Sequence, residues 1–186
     1  MFYKKRCEPN RWKGFVAGIL GSLAGLFAMR YYWQAVAPKV SNPDRQPLIP
    51  ESHPLDDISQ VGQQYQEDES STAALGRIIY QQIVGKPPET EETKTLLSYL
   101  VHWGYGLFQG GVYGAARTSA SGLDVEGGLL YGAGLWFVGD ELAVPMLGLQ
   151  PGPTEASAPQ HINRLGAHLF YGVITAAVTQ ILRRIL

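Results

Sequence analysis

The stretch that decides the fold is residues 127–149, GGLLYGAGLWFVGDELAVPMLGL. It is apolar over about 23 residues, which is long enough for a helix to span a bilayer, yet it contains the adjacent carboxylates Asp140 and Glu141. A carboxylate inside a bilayer is costly and therefore needs a partner or a task. The stretch predicts a membrane-spanning helix whose acids are satisfied by residues elsewhere in the chain.

Three further segments are also apolar and of similar length. They are residues 14–37, in which Arg30 is the only charge, residues 96–116 and residues 162–182. The many glycines inside these segments would weaken a helix in water, but they let membrane helices approach closely. The pattern predicts an all-α membrane protein with four transmembrane helices, the third of which is residues 127–149.

A signal peptide is the alternative interpretation of the first segment, because Ala35-Val36-Ala37 resembles a cleavage site. Pro38 would then be the first mature residue, which disfavours cleavage. The aromatic residues at the end of the segment suit a membrane boundary. We therefore predict an uncleaved span.

The loop between the first two spans, residues 38–95, is polar and has ten acids against four bases between residues 40 and 94. Its first half, to about Asp68, is predicted to be extended or poorly ordered. Residues 71–84 are predicted to form a short amphipathic helix, capped by Ser70 or Ser71. That helix either lies on the bilayer surface or packs on the protein itself. Its apolar face consists of Leu75, Ile78, Ile79 and Ile83.

The distribution of lysine and arginine predicts the orientation. Residues 1–13 contain five basic residues, the short loop after the second span contains Arg117, and residues 183–186 contain two arginines. Basic residues favour the cytoplasmic side. The chain is therefore predicted to lie in a bacterial inner membrane with both termini in the cytoplasm and the long loop outside.

The second and fourth spans share the motif His-x-x-Tyr-Gly, at residues 102–106 and 168–172. The first and third spans match more weakly. This similarity predicts an internal repeat of two helical hairpins in parallel orientation. Small residues spaced four apart favour close helix packing. The predicted packing positions are Gly106, Gly110, Gly128, Gly132 and Gly172.

The ionisable residues inside the spans are predicted to share one depth. At about 1.5 Å per residue, Asp140 lies about 20 Å from the cytoplasmic end of its span, and Arg30, His102 and His168 lie about 21 to 24 Å from theirs. Asp140 is expected to face a neighbouring helix, with Glu141 rotated about 100° away. The predicted polar layer consists of Arg30, His102, Tyr105, Asp140, Glu141, His168 and Tyr171, with both tyrosines on the packed side.

Three interpretations of this layer compete. The acids and histidines either neutralise one another structurally, or exchange protons or a small ion with the outside, or bind haem or a divalent metal through His102 and His168. No metal-ligand spacing supports the third interpretation, so no cofactor or metal is predicted. His53 and His161 are predicted to be solvated loop residues.

Composition excludes several function classes. The formal net charge is −1, and no basic face follows the basic N-terminus, so no nucleic-acid partner is predicted. No hydrolase or transferase signature occurs, and no enzymatic activity is predicted. Besides the lipid bilayer, the alternative partner is another membrane protein or a second copy, which would make the chain an accessory or scaffold subunit.

The order of motifs resembles a family. A basic N-terminus, a span ending in aromatic residues and proline, Asp140-Glu141 before a Pro-x-x-Gly-Leu-x-Pro segment, and a closing His-x-x-Tyr-Gly span are similar to the YagU-like group of small bacterial inner-membrane proteins of unknown function. The resemblance covers the four spans. It implies a pH-related role at His102, Asp140, Glu141 and His168.

Overall fold

The computed structural model describes residues 10–40, 53–117 and 122–186, which form helices and loops without a strand. The predicted basic segment up to residue 9 and residues 41–52 of the long loop lie outside the described residues. The elements in chain order are α1 (Arg11–Tyr31), the π-helix π1 (Tyr32–Val36), α2 (Ala37–Val40), α3 (Ser71–Val84), α4 (Glu91–Ala116), α5 (Val125–Gly134), the π-helix π2 (Leu135–Ala143), α6 (Val144–Met146) and α7 (Ala158–Ile185).

Two helices in the described part of the chain are long and apolar enough to cross a membrane, Arg11–Val40 and Ala158–Ile185. The other two predicted spans do not meet this criterion. The α4 helix has 26 residues, but glycine, tyrosine and polar residues such as Gln109 lower its hydropathy. In the third span, the two adjacent carboxylates have the same effect. The all-helical class is confirmed, whereas the prediction of four transmembrane helices is supported for two.

The four long helical segments lie in the order α4, α1, α7, α5 across the bundle. The α1 helix packs along both α4 and α7, and α7 packs in turn along α5. Each of these neighbours is antiparallel, because the start of α1 meets the end of α4, and Gly21 and Gly25 of α1 face Thr179 and Thr175 of α7. The central pair therefore consists of the two most apolar helices.

Glycine positions the helices because a side chain at the crossings would collide with backbone. A Cβ atom at Gly18 would lie 2.1 Å from the Gly110 carbonyl oxygen, and one at Gly132 would lie 2.3 Å from the His168 carbonyl oxygen. Gly172 faces the Gly128 carbonyl in the same way. Gly110 meets both the Ser22 side chain and the Gly18 carbonyl, whereas Gly106 faces only side-chain atoms, those of Leu26.

The non-helical segment 53–70, called the outer strap here, crosses the loop that follows α6. The Gly152 amide donates to the Asp56 carbonyl at 2.7 Å, and the Gln64 amide donates to the Gly148 carbonyl at 2.7 Å. Backbone hydrogen bonds to a distant loop give the strap a defined path. The expectation of an extended or poorly ordered segment therefore holds only in that the strap has no regular secondary structure.

The α3 helix packs on α4, which corresponds to the second of its two predicted locations. The Ser70 side chain caps it, and Gly76 lies against Leu97 of α4. The predicted apolar face is only partly covered, since Ile79 and Ile83 are 45% and 78% exposed. The expected packing face is wrong because small residues, rather than the branched ones, allow the close contact with α4.

Candidate functional site

The π2 helix carries two acids to the first half of α7, where three basic side chains lie. We call Asp140, Glu141, His161, Arg164 and His168 the outer polar cluster. In a π-helix the backbone hydrogen bonds join residues i and i+5, so each turn is wider than in an α-helix. Such turns occur frequently at functional sites. The wide turn of π2 is therefore the element that presents both acids.

Glu141 is the buried acid of the cluster. Its side chain is 7% exposed, and its Oε1 atom lies 2.9 Å from Nδ1 of His161, whose side chain is 27% exposed. The other ring nitrogen of His161, Nε2, lies 2.9 Å from the Pro153 carbonyl oxygen. The prediction that His161 is a solvated loop residue is therefore wrong: it lies in the first turns of α7, where the Pro153 loop and π2 hold it.

The two contacts of the His161 ring determine how many protons Glu141 and His161 hold between them. A carbonyl oxygen only accepts hydrogen bonds, so Nε2 must carry a hydrogen. The contact between Nδ1 and Glu141 needs a second hydrogen, which resides either on the ring or on the carboxyl group. In both cases the pair is neutral as a whole and keeps one exchangeable proton between its members.

Asp140 is less buried and lies next to the second histidine of α7. Its Oδ2 atom is 3.7 Å from Nδ1 of His168, and its side chain is 30% exposed. His168 Nδ1 donates to the Arg164 carbonyl at 2.9 Å. Nδ1 is thus engaged by the backbone, and its 3.7 Å separation from Oδ2 of Asp140 is longer than a hydrogen bond.

The structure bears out the expected orientation of one acid and corrects that of the other. The sequence spacing placed Asp140 toward a neighbouring helix and rotated Glu141 away. Asp140 does face a neighbour, His168 of α7, but Glu141 faces α7 as well and is the more buried of the two, at 6% exposed. The spacing assumed an α-helix, whereas the i to i+5 hydrogen bonds of π2 widen the turn and change the rotation between successive side chains.

His102 and Arg30 lie on the other side of the bundle, between α1 and α4. They line an open cleft of about 400 Å³. No ion pair among the described residues joins Arg30 to an acid. The structure therefore places His168 beside Asp140 and puts His102 with Arg30 in the cleft on the other side of the bundle.

Three tyrosines stack inside the bundle beside the cluster, and we call Tyr113, Tyr131 and Tyr171 the tyrosine column. The Tyr113 and Tyr131 rings are 4.7 Å apart, and the Tyr131 and Tyr171 rings 6.1 Å. Tyr171 is 2% exposed and its hydroxyl donates to a carbonyl of α4, whereas Tyr105 is 51% exposed. The expectation that both tyrosines lie on the packed side is wrong for Tyr105.

An ion pair closes the inner end of the tyrosine column. Arg117 donates to both oxygens of Asp124, from Nε at 2.9 Å and from Nη2 at 2.5 Å, and the Tyr113 hydroxyl donates to the same carboxylate. Hydrogen bonds from Arg117 hold the pKa of Asp124 below its usual value. Arg183 and Arg184 donate to carbonyls of the same turn. Basic residues from the ends of two helices, α4 and α7, thus meet at this turn.

Metal binding was one of the interpretations of the polar layer. Within residues 10–40, 53–117 and 122–186, no three histidine, cysteine or acidic side chains lie close enough to hold one ion. His102 and His168 sit on helices that barely touch, α4 and α7. The arrangement favours pairwise contacts between acids and histidines.

Sequence reasoning missed His161 and Arg164. The sequence did contain a signal. His161, Arg164 and His168 follow one another at spacings of three and four residues, so their side chains share one face of a helix. The helix was expected to begin at residue 162, and this boundary removed His161 from consideration. The α7 helix begins earlier, at Ala158, with a capping box formed by Ser157 and Gln160.

Comparison of this chain with protein-family models, with curated proteins and with solved structures finds no match.

Proposed function

We propose that this chain is a helical membrane protein whose outer polar cluster takes up protons at the outer face and passes them to the tyrosine column. One observation carries the proposal. His161 faces an acceptor with each ring nitrogen, so the Glu141–His161 pair holds an exchangeable proton at a site that is largely closed to solvent. Buried acid and histidine groups inside membranes are typical of proton pathways.

The proposed topology has four spans with both ends on the cytoplasmic side of a bacterial inner membrane. The α4 helix and the α5–π2–α6 segment would cross beside the two apolar helices, as two parallel repeats of one hairpin. Two features support this: both hairpins contain a π-helix shortly before a proline, and the basic residues gather at one end, where positive charge favours the cytoplasm. These basic residues are Arg11, Lys13, Arg117, Arg183 and Arg184.

The route inward would follow the tyrosine column. The hydroxyl of Tyr131 is buried, and its ring lies between the Tyr113 and Tyr171 rings. The column ends at Asp124, beside an exposed arginine. The chain therefore offers titratable groups from the outer cluster to the inner end.

Proton flux in vesicles tests this proposal. The full chain is reconstituted in liposomes that contain a pH-sensitive dye, and the outside is acidified. We expect wild type to acidify the lumen faster than empty vesicles, and Glu141→Gln and Asp140→Asn to lose most of this flux. Glu126→Gln is the matched control, because it removes an exposed acid from the same helical segment without touching the cluster.

Each possible result of the flux measurement either supports the proposal or contradicts it. Flux that falls in the two cluster variants and persists in the control supports the proposal. Flux at the level of empty vesicles in wild type removes the transport function. Equal flux in all variants would show that protons cross elsewhere in the chain.

The alternative function is that of a non-catalytic accessory or scaffold subunit. One observation favours it: α3 and the start of α4, which pack on each other, expose several large apolar side chains. They are Ile79, Ile83, Val84, Leu96, Tyr99 and Leu100.

The resemblance to the YagU-like group stays a prediction. It would agree with a pH-related role of the same cluster.

A further inference from the structure

The cleft between α1 and α4 contains Arg30, whose side chain makes no hydrogen bond or ion pair with any described residue. Among the residues that the structure describes, no acid lines the cleft. Gln34 and His102 line the same cleft and make no hydrogen bond within the described residues either. Three side chains that can donate hydrogen bonds therefore converge on one space of about 400 Å³.

The walls of the cleft are aromatic. Trp33, Tyr99 and Trp103 surround the polar groups, and Trp33 and Tyr99 are 45% and 58% exposed. Tryptophan and tyrosine are enriched at the level of lipid headgroups. Aromatic residues around an arginine are therefore suited to binding the polar headgroup of an amphipathic molecule.

An exposed apolar stripe leads along α1 to Arg30. Its members lie three or four residues apart, and each leaves between 38% and 55% of its surface uncovered. They are Val16, Leu20, Leu23 and Phe27. Continuing the same spacing places Arg30 on this stripe. A molecule bound at Arg30 would therefore extend its apolar part along α1.

We propose that this cleft binds an anionic glycerophospholipid, with its phosphate on Arg30 and one acyl chain along the apolar stripe. The guanidinium fork matches two phosphate oxygens, and the Gln34 amide would donate to a third. Among the described residues of the cleft no acid opposes the negative charge, so a lipid with net negative charge is preferred. The proposal depends on contact of α1 with the bilayer and not on proton transfer by the outer polar cluster.

Lipid binding is measured at equilibrium, without a proton gradient, on the full chain in neutral detergent micelles. Native mass spectrometry counts bound phosphatidylglycerol, and a phosphatidylglycerol with brominated acyl chains reports proximity by quenching tryptophan fluorescence. Trp33 and Trp103 line the cleft, so quenching should be stronger than with brominated phosphatidylcholine.

The decisive variant is Arg30→Gln, and its matched control is Lys39→Gln. Lys39 lies near the same end of the first long helix, is exposed, and is not part of the cleft. Arg30→Gln should weaken binding of phosphatidylglycerol about tenfold, because charge-assisted hydrogen bonds to phosphate are lost, and Lys39→Gln should not. Circular dichroism checks that both variants keep their helices.

Three results would overturn the proposal. Equal affinity in the two variants would show that only general charge attraction acts. Equal affinity for phosphatidylglycerol and phosphatidylcholine would remove the preference for negative charge. Displacement of the lipid by millimolar inorganic phosphate would show a site for free phosphate without a role for the acyl chain. Since none of these measurements involves proton flux, they succeed or fail independently of the flux in vesicles.

Discussion

The crossing of α1 and α4 requires the absence of a side chain at Gly110, and a single methyl group tests this. A Cβ atom at Gly110 would lie 2.1 Å from the Ser22 Cβ atom and 2.7 Å from the Gly18 carbonyl oxygen. Gly104, on the same helix, faces open space, and a Cβ atom there would meet nothing within 4 Å. We therefore expect Gly110→Ala to destabilise the bundle and Gly104→Ala to leave it folded as in wild type.

The magnitude follows from these distances. Ordinary van der Waals contact begins at 3.4 Å, so the facing atoms of α1 would have to withdraw by up to about 1.3 Å. The Ser22 Cβ atom is attached to the backbone and cannot rotate away. Overpacking of this kind costs about 1–3 kcal/mol. Both alanines gain the same helix propensity, about 1 kcal/mol at most, so the two variants should differ by about 1–3 kcal/mol.

The assay is chemical unfolding of the full chain in detergent micelles. Helical circular dichroism and tryptophan fluorescence follow the transition, and the free energy of unfolding is extrapolated to zero denaturant. Trp103 lies on α4 close to the crossing and reports its separation from α1. Coincident transitions by the two signals are required before the free energies are compared.

Equal stability of Gly110→Ala and Gly104→Ala, within about 0.5 kcal/mol, would refute the reasoning, since differences of that size are ordinary for surface substitutions. A second substitution tests whether the loss of stability comes from the crossing itself and not from position 110 alone. Gly18→Ala meets the Gly110 carbonyl oxygen from the other side, at 2.1 Å. It should lose as much stability as Gly110→Ala.

Two further predictions concern charges outside the helical spans. Hydrogen bonds from Arg117 depress the pKa of Asp124, so this ion pair should stabilise the fold above about pH 4 and lose that effect as the pH falls. The unfolding midpoint should therefore drop more between pH 6 and pH 3 in wild type than in Asp124→Asn. Arg77 donates two hydrogen bonds to Glu69 and joins the outer strap to α3, so limited proteolysis should cut the strap faster in Arg77→Gln but not in the exposed Lys86→Gln control.

The candidate site was predictable only in part. Asp140, Glu141 and His168 stand out in the sequence because ionisable groups are rare in apolar segments. Their partners do not stand out, because His161 lies next to a proline-rich loop, which gave it the appearance of a solvated residue. Arg30 was placed at the same depth as the acids, yet depth along a helix carries no information on which side of the bundle a residue faces.

The sequence by itself determined that the chain is all-helical, because the apolar segments are long and glycine-rich and its prolines lie in loops or near helix ends. It also determined where α3 begins, because Ser70 caps the first free amide groups. Tertiary structure decided which acid is buried. The wider turn of π2 lets both acids face α7, with Glu141 the more buried, and an i to i+5 hydrogen-bonding pattern leaves no distinct periodicity in a segment this short. Tertiary structure also decided the pairing with His161, because that contact joins residues from two helices through a loop whose path depends on the packing of the outer strap.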